Sequence, residues 1–350
     1  MRRTALITAL LTMTVAAPAL AIDNVTVTRK DAEHVEVQWN DSDPVAISLS
    51  DTPGPAPDAK AIVAASKKGS ATLASPADKR LYVILRDGGD GSVVVAAERE
   101  LPLQRGSNFR DLGGYVGAGG KTVRWGKIYR SGALPVLTEQ DYALLGGLGI
   151  HAIVDLRSLE EREVAADQLD DRTGALFISN DYAMKPMMAN FAAKNGEYLY
   201  GGTEKLLQPQ LRAIFNRLLA DDGAVMYHCS AGQDRTGIAT ALVLSALGVD
   251  RATIVKDYHL STALRRPQNE LPPLKAEDYP NNPIVQYYAA AAAKPGGIKA
   301  EPLYSKSGVS NIVQFFEVLD RDYGGVDAYL KTQLGIGPVE IARLRSLYLN

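Results

Sequence analysis

The sequence predicts two folded units behind a short leader: an all-β sandwich over residues 22–103, then an α/β domain over residues 104–350 with a central, largely parallel sheet flanked by helices. Three observations carry this. Short alternating segments separated by turn residues fill the first unit, and nearly all-apolar strands alternate with amphipathic helical stretches in the second. A basic pair followed by an apolar run occupies residues 1–21. A length of 350 residues suits two cores plus a leader.

The leader runs Met1-Arg2-Arg3, then an apolar stretch from Ala5 to Ala17, then Ala19-Leu20-Ala21. A basic start, an apolar centre and an Ala-x-Ala site form the pattern of a secretory signal peptide, so a periplasmic or secreted product is expected. The apolar run is short for a bilayer, and no later stretch approaches the roughly 20 apolar residues of a membrane helix, so no integral membrane segment is expected. The lone Cys229 lies far from the leader, which argues against a lipoprotein, and one cysteine allows no internal disulfide. Lys and Arg total 38 against 40 Asp and Glu, so nothing advertises a nucleic acid partner. Oligomeric state is not legible.

In the first unit, strands are expected at residues 24–28, 35–39, 45–49, 61–65, 81–85 and 93–97. Trp39 closes an early strand and Tyr82 sits in a late one after Ser75-Pro76-Ala77, an arrangement that resembles a fibronectin type III domain. The resemblance implies that Trp39 packs between two sheets and that Tyr82 makes a corner hydrogen bond, both as core residues.

In the second unit, Thr138 with Asp141 three residues on predicts a capped helix bearing Leu144, Leu145 and Leu148, stopped by Gly149. A buried strand is expected at residues 150–156, a helical region at about 198–219, and a second apolar strand at 224–227. That strand runs into His228-Cys229-Ser230-Ala231-Gly232-Gln233-Asp234-Arg235-Thr236-Gly237, and an apolar helix follows over residues 238–247. Residues 265–310, rich in Pro, Ala and Tyr, read as an insertion before terminal helices near 326–334 and 338–349.

The chemistry converges on Cys229. A thiol attacks phosphorus as its thiolate, and a free cysteine with a pKa near ~8.5 needs positive potential to supply one. A strand, loop and helix provide it: the amides of Ser230 to Asp234 can converge on one centre, a nest for a tetrahedral dianion, and Arg235 can present its fork to two phosphoryl oxygens. Gly232 eases the turn and Thr236 brings a hydroxyl near the thiolate. The expected reaction is double displacement: Cys229 takes the phosphoryl group, an alcohol or phenol leaves, and water hydrolyses the cysteinyl-phosphate. It calls for no cofactor, and His34, His151, His228 and His259 offer no pair at metal-ligand spacing.

His228 to Gly237 resembles the phosphate loop of protein tyrosine phosphatases. Three further segments are similar to the atypical bacterial group of secreted mycobacterial type: Asn108-Phe109-Arg110-Asp111-Leu112-Gly113-Gly114, Gly126-Lys127-Ile128-Tyr129-Arg130-Ser131-Gly132 and Val154-Asp155-Leu156-Arg157-Ser158. The resemblance spans about residues 106–350 and includes Tyr323-Gly324-Gly325-Val326. It implies an α/β phosphatase fold, Cys229, Arg235 and Asp234 as catalytic residues with Asp234 as general acid, and a substrate-binding loop of Ser230, Ala231, Gly232, Gln233, Asp234, Arg235 and Thr236. It also implies a helical lid within residues 265–310. Substrates would be phosphotyrosine proteins or other phosphomonoesters, dual specificity being left open. Gln233 departs from the group, where a lysine is associated with phosphoinositide acceptance. A phosphoinositide or inositol-phosphate phosphatase is the alternative; a phospho-ligand-binding module and a rhodanese-like sulfur transferase fit the loop less well. Asp181, in Ser179-Asn180-Asp181-Tyr182, competes with Asp234 as acid.

Overall fold

The structure, a computed structural model, describes residues 22–184 and 202–350. The leader, and the first residues of the helix expected from 198, lie outside them. Seven strands build the first unit: β1 Asp23–Arg29, β2 His34–Asn40, β3 Val45–Ser50, β4 Val63–Ser66, β5 Ser70–Ala74, β6 Tyr82–Asp87 and β7 Val93–Ala96. They form two antiparallel sheets, β1-β2-β5 and β4-β3-β6-β7. Alternation sets the faces: Val35, Val37 and Trp39 of β2 point inward while His34, Gln38 and Asn40 are exposed. Trp39 packs with Val45, Ile47, Leu73 and Leu85 between the sheets, as expected.

Tyr82 does something else. Instead of serving a corner within the sandwich, it is buried against Ala97 of its own unit and Trp125 of the second, with its hydroxyl close to Gly126. Around it, Arg80 donates to Asp111 at 2.9 Å and to the Glu98 carbonyl, and Arg99 donates to the carbonyls of Asp111 and Gly113 at 2.9 Å each. The two units are therefore joined through a buried ion pair, with Arg80 and Asp111 6% and 0% exposed.

The second unit is built on a five-stranded sheet in the order β11-β10-β12-β9-β8, from β8 Arg110–Asp111, β9 Ile128–Ser131, β10 Ile150–Asp155, β11 Leu176–Ser179 and β12 Ala224–His228. β9 to β12 run parallel, and β8 is antiparallel to β9. The register Ser131–His228–Asp155 brings the carboxyl ends of three strands to one edge, the place where open α/β sheets hold ligands. Helix α1, Glu139–Gly146, has the expected Thr138–Asp141 capping box but ends at Gly147, ahead of Gly149. The helical region expected to 219 is divided at Leu207 into Thr203–Leu206 and Gln208–Ala220. The helix after the loop starts at Asp234, four residues earlier than its apolar run, and continues to Ala246. It is buried on nearly every side, which explains its lack of a polar face. Two further helices, Arg251–Leu264 and Asn311–Tyr323, pack against it and against each other. Within 265–310, two single turns precede a helix, Pro283–Ala292, and this stretch packs through Ile284 and Val285 on Val164 and Met184.

Candidate active site

Cys229 follows the end of β12 and is 2% exposed. The loop beyond it is held from behind. The carbonyl of Ser230 accepts from the Ala133 amide at 2.8 Å. That of Ala231 accepts from Asn108 Nδ2 at 3.1 Å, and that of Gly232 from Asn108 Nδ2 at 2.8 Å and Arg130 Nη2 at 2.6 Å. In a trans peptide the C=O and N–H point opposite ways. Pinning three successive carbonyls outward therefore turns the amides of Ala231, Gly232 and Gln233 to the inner side of the loop, the arrangement that makes an anion nest. Gly232 is required at this turn: its φ is +66°, and a Cβ would lie 2.6 Å from backbone atoms of Ser131 and Gly132.

The pinning side chains have their own foundation. Asp257, fully buried, takes Arg110 Nε at 3.0 Å, Arg130 Nη1 at 2.8 Å and the Tyr115 hydroxyl at 2.9 Å. Burial alone pushes its carboxyl up, but Arg110 and Arg130 outweigh that and hold it far below the usual carboxylate range. Arg110 also donates to Asn108 Oδ1. The motif segments around Asn108 and Arg130 are thus scaffold for the loop.

Arg235 is 8% exposed and makes a two-pronged ion pair: Nη1 to Glu161 Oε2 and Nη2 to Glu161 Oε1, both at 2.6 Å. Nη1 also reaches the Tyr182 hydroxyl at 2.8 Å. The edge between Nη1 and Nη2 is thus committed to Glu161. The Nε and Nη2 edge keeps hydrogens with no protein acceptor among the described residues, and a planar guanidinium can grip an oxyanion by that edge equally well. Glu161 also accepts from the Ser230 hydroxyl at 2.5 Å and caps its own helix through the Ser158 amide. Burial raises its pKa, and Arg235, Ser230 and Ser158 together bring it below the usual value. Glu161 went unassigned in the sequence, although Ser158-x-x-Glu161 is a capping-box signature that places a helix start there.

The remaining loop residues line the same turn. Asp234, half-buried, opens its helix and accepts from the Tyr258 hydroxyl at 3.3 Å. Thr236 is buried, its hydroxyl 3.5 Å from the Ser131 carbonyl. Gln233, 3% exposed, accepts at Oε1 from Arg265 Nη1 at 2.8 Å, and Arg265 is itself paired with buried Glu270 at 2.8 Å. A cation thus stands beside Gln233, its charge matched by Glu270. Asp181 is not brought in: its side chain is 71% exposed and pairs with Arg162, while the next residue, Tyr182, is the one that touches Arg235.

Next to the nucleophile position, His228 lies 3.2 Å from Asp167 and 3.9 Å from Asp155, all three side chains nearly or fully buried. These are ligand types for a metal, but Arg157 donates to Asp155 at 2.7 Å and sits 3.3 Å from Asp167. The guanidinium already supplies the positive charge, so the cluster does not fit a cation.

Residues 101–350 match the family model described as the tyrosine phosphatase family. The chain is similar to a protein of Cupriavidus necator whose name provisionally makes it a tyrosine-protein phosphatase, at 30% identity covering 73% of this chain and 90% of that one. It is 31% identical to a tyrosine-protein phosphatase of Nostoc commune, covering 62% and 72% respectively. A third relative, the triple specificity protein phosphatase PtpB of Mycobacterium tuberculosis, is 29% identical, and 73% of this chain matches all of it.

Proposed function

The chain belongs to the tyrosine phosphatase family and is a PtpB-like protein-tyrosine phosphatase, and from that premise we propose that it is an exported enzyme that works through a cysteinyl-phosphate at Cys229. Cys229 Sγ attacks phosphorus in line with the ester oxygen, the amides of Ala231, Gly232 and Gln233 and the free edge of Arg235 take the equatorial oxygens, and Asp234 protonates the leaving phenol. Water then displaces the thiolate, with Asp234 as base. Export is supported by the pattern of residues 1–21, and a fibronectin type III-like reading of residues 22–103 by the order of the two sheets.

The observation that carries the mechanism is the trio of outward-pinned carbonyls, since it turns consecutive N–H groups toward the space in front of Cys229. Phosphotyrosine is favoured over phosphoinositides because the cation beside Gln233 is neutralised by Glu270. The test is a panel of phosphotyrosine and phosphoserine peptides and phosphoinositide vesicles, with wild type and Cys229→Ser. Turnover should be best on phosphotyrosine and absent in Cys229→Ser, which should still bind vanadate. Activity of the variant within tenfold of wild type would sink the mechanism, and a preference for phosphoinositide would overturn the substrate assignment.

A further inference from the structure

Far from the phosphate loop, the β2–β3 and β6–β7 turns of the sandwich meet at one end. The pairing of Val45 with Asp87 sets them side by side. Asp41, Asp43 and Asp87 each bring a carboxylate oxygen there, all within 4.8 Å of one another. Asp87 is 1% exposed, and Asp41 and Asp43 are half-buried. Asp41 and Asp87 are each anchored through one oxygen, Asp41 Oδ1 by the Asp43 amide at 2.9 Å and Asp87 Oδ1 by the Gly89 amide at 2.6 Å. Their other oxygens, Asp41 Oδ2 and Asp87 Oδ2, are buried with no hydrogen-bond partner.

Two orphaned, buried carboxylate oxygens beside a third carboxylate make an arrangement that repels itself and lacks the compensation buried charge requires. The contrast within this molecule is direct. Where Asp155 and Asp167 approach His228, Arg157 stands between them. Among the described residues no Lys or Arg forms an ion pair with Asp41, Asp43 or Asp87. Gly89 leaves room for the group, since a Cβ there would meet Asp43 Oδ2 at 2.4 Å. We propose that Asp41, Asp43 and Asp87 bind a calcium-class divalent cation that staples the two turns of the sandwich together. The donors are all oxygens, which selects a hard cation, and carboxylates on two separate turns suit the adaptable coordination of calcium better than the strict octahedron of magnesium. The histidine spacings that signal many metal sites play no part in it.

The site is separate from catalysis, and its test is thermodynamic. Thermal unfolding of the full chain is followed in EDTA and in CaCl2 at about ten times a Kd of about 10⁻⁴ to 10⁻³ M, the range of extracellular modules. Calcium should raise the unfolding transition by several degrees, with a smaller response to magnesium. Asp41→Asn and Asp43→Asn, both at half-buried positions, should abolish the response and melt no lower than wild type in EDTA, because each removes repulsion. Asp87→Asn should act likewise, and if it fails to fold the other two variants carry the test. No calcium response in wild type, or an undiminished one in both variants, overturns the site; an equal or larger magnesium response overturns the choice of ion. Phosphatase activity should survive EDTA at temperatures below the transition, and its loss there would move the metal to the catalytic half.

Discussion

Asp234 and Asp181 are the two carboxylates that the sequence offers as proton donor, and their surroundings separate them. Asp234 stands one residue before Arg235 and is held by Tyr258, whereas Asp181 is exposed on Arg162. A donor matters when the leaving group is poor, because an activated phenol departs unaided. Asp234→Asn should lower kcat on a phosphotyrosine peptide by about 10² to 10⁴, lose far less on an ester with a low-pKa leaving group, and flatten the basic limb of the pH profile. Asp181→Asn should stay near wild type on both. Equal losses of Asp234→Asn on the two esters would make it a loop-shaping residue only. At this scale the sequence is legible where chemistry is contiguous: Cys229, Gly232, Asp234 and Arg235 share one loop. Glu161 and Asp257 are illegible as site residues because their roles exist only once separate helices bring them to arginines 74 and 127 positions away.

Elements tell the same story through periodicity. Strands β10 and β12 reveal themselves by apolar runs, and α1 by its cap. The helix Arg251–Leu264 does not, because its buried face is Ile254, Asp257, Tyr258 and Ser261. Half of that face is polar and bound to arginines, so no apolar stripe marks it. Strand β5, Ser70–Ala74, is similarly hidden by small residues. The helix Asn311–Tyr323 went unassigned in the sequence, although Ile312, Phe315, Phe316 and Leu319 form an apolar stripe at helical spacing. The loop between β12 and its helix depends on Asn108, whose own φ is +57°. Asn108→Ala frees the Ala231 carbonyl, leaves the Gly232 carbonyl to Arg130 alone and deprives Arg110 of an acceptor, so vanadate affinity and kcat/KM should both fall, by about 10-fold or more at ~1.4 kcal/mol per decade. Asn108→Gly removes the backbone strain that alanine would add and should show the same loss. Unchanged vanadate affinity in the glycine variant would mean that Arg130 alone holds the loop. The strand end at Asp155 yields a pH prediction. Burial raises its pKa, but His228 and Arg157 lower it further, to about 2 from 3.8. A carboxyl depressed on folding contributes stability above its unfolded pKa and loses it as pH falls through the folded one. Glu161 and Asp257 act in the same sense, whereas Asp111, pushed up by burial, acts oppositely. The urea midpoint should therefore fall between about pH 4 and pH 2, and a flat midpoint across that window would show these pairs to be absent in solution.

For the whole molecule, the deciding feature is the Arg80–Asp111 junction. Arg80→Ala leaves a fully buried carboxylate without its cation, and losses of this kind run to about 3–5 kcal/mol. The variant should melt well below wild type, with the sandwich and the catalytic half separating into two transitions. Adding Asp111→Asn should recover part of the loss, because the pair is coupled, and strictly additive losses would show that Arg80 acts through packing alone. The two-unit architecture is legible in the sequence from the switch in periodicity near residue 104, but the junction is not, since Arg80, Tyr82 and Trp125 meet only after both units fold. The relative PtpB is matched over its whole length by 73% of this chain, so a phosphatase of this kind exists at smaller size. Here the sandwich, through Arg80, is part of the catalytic unit's own charge balance. Acquisition and loss of such a domain are then no longer symmetric in evolution. A lineage can gain the sandwich by fusion in one event, but deleting it strands Asp111 at once, so a viable route back must first substitute that aspartate, and the fusion works as a ratchet.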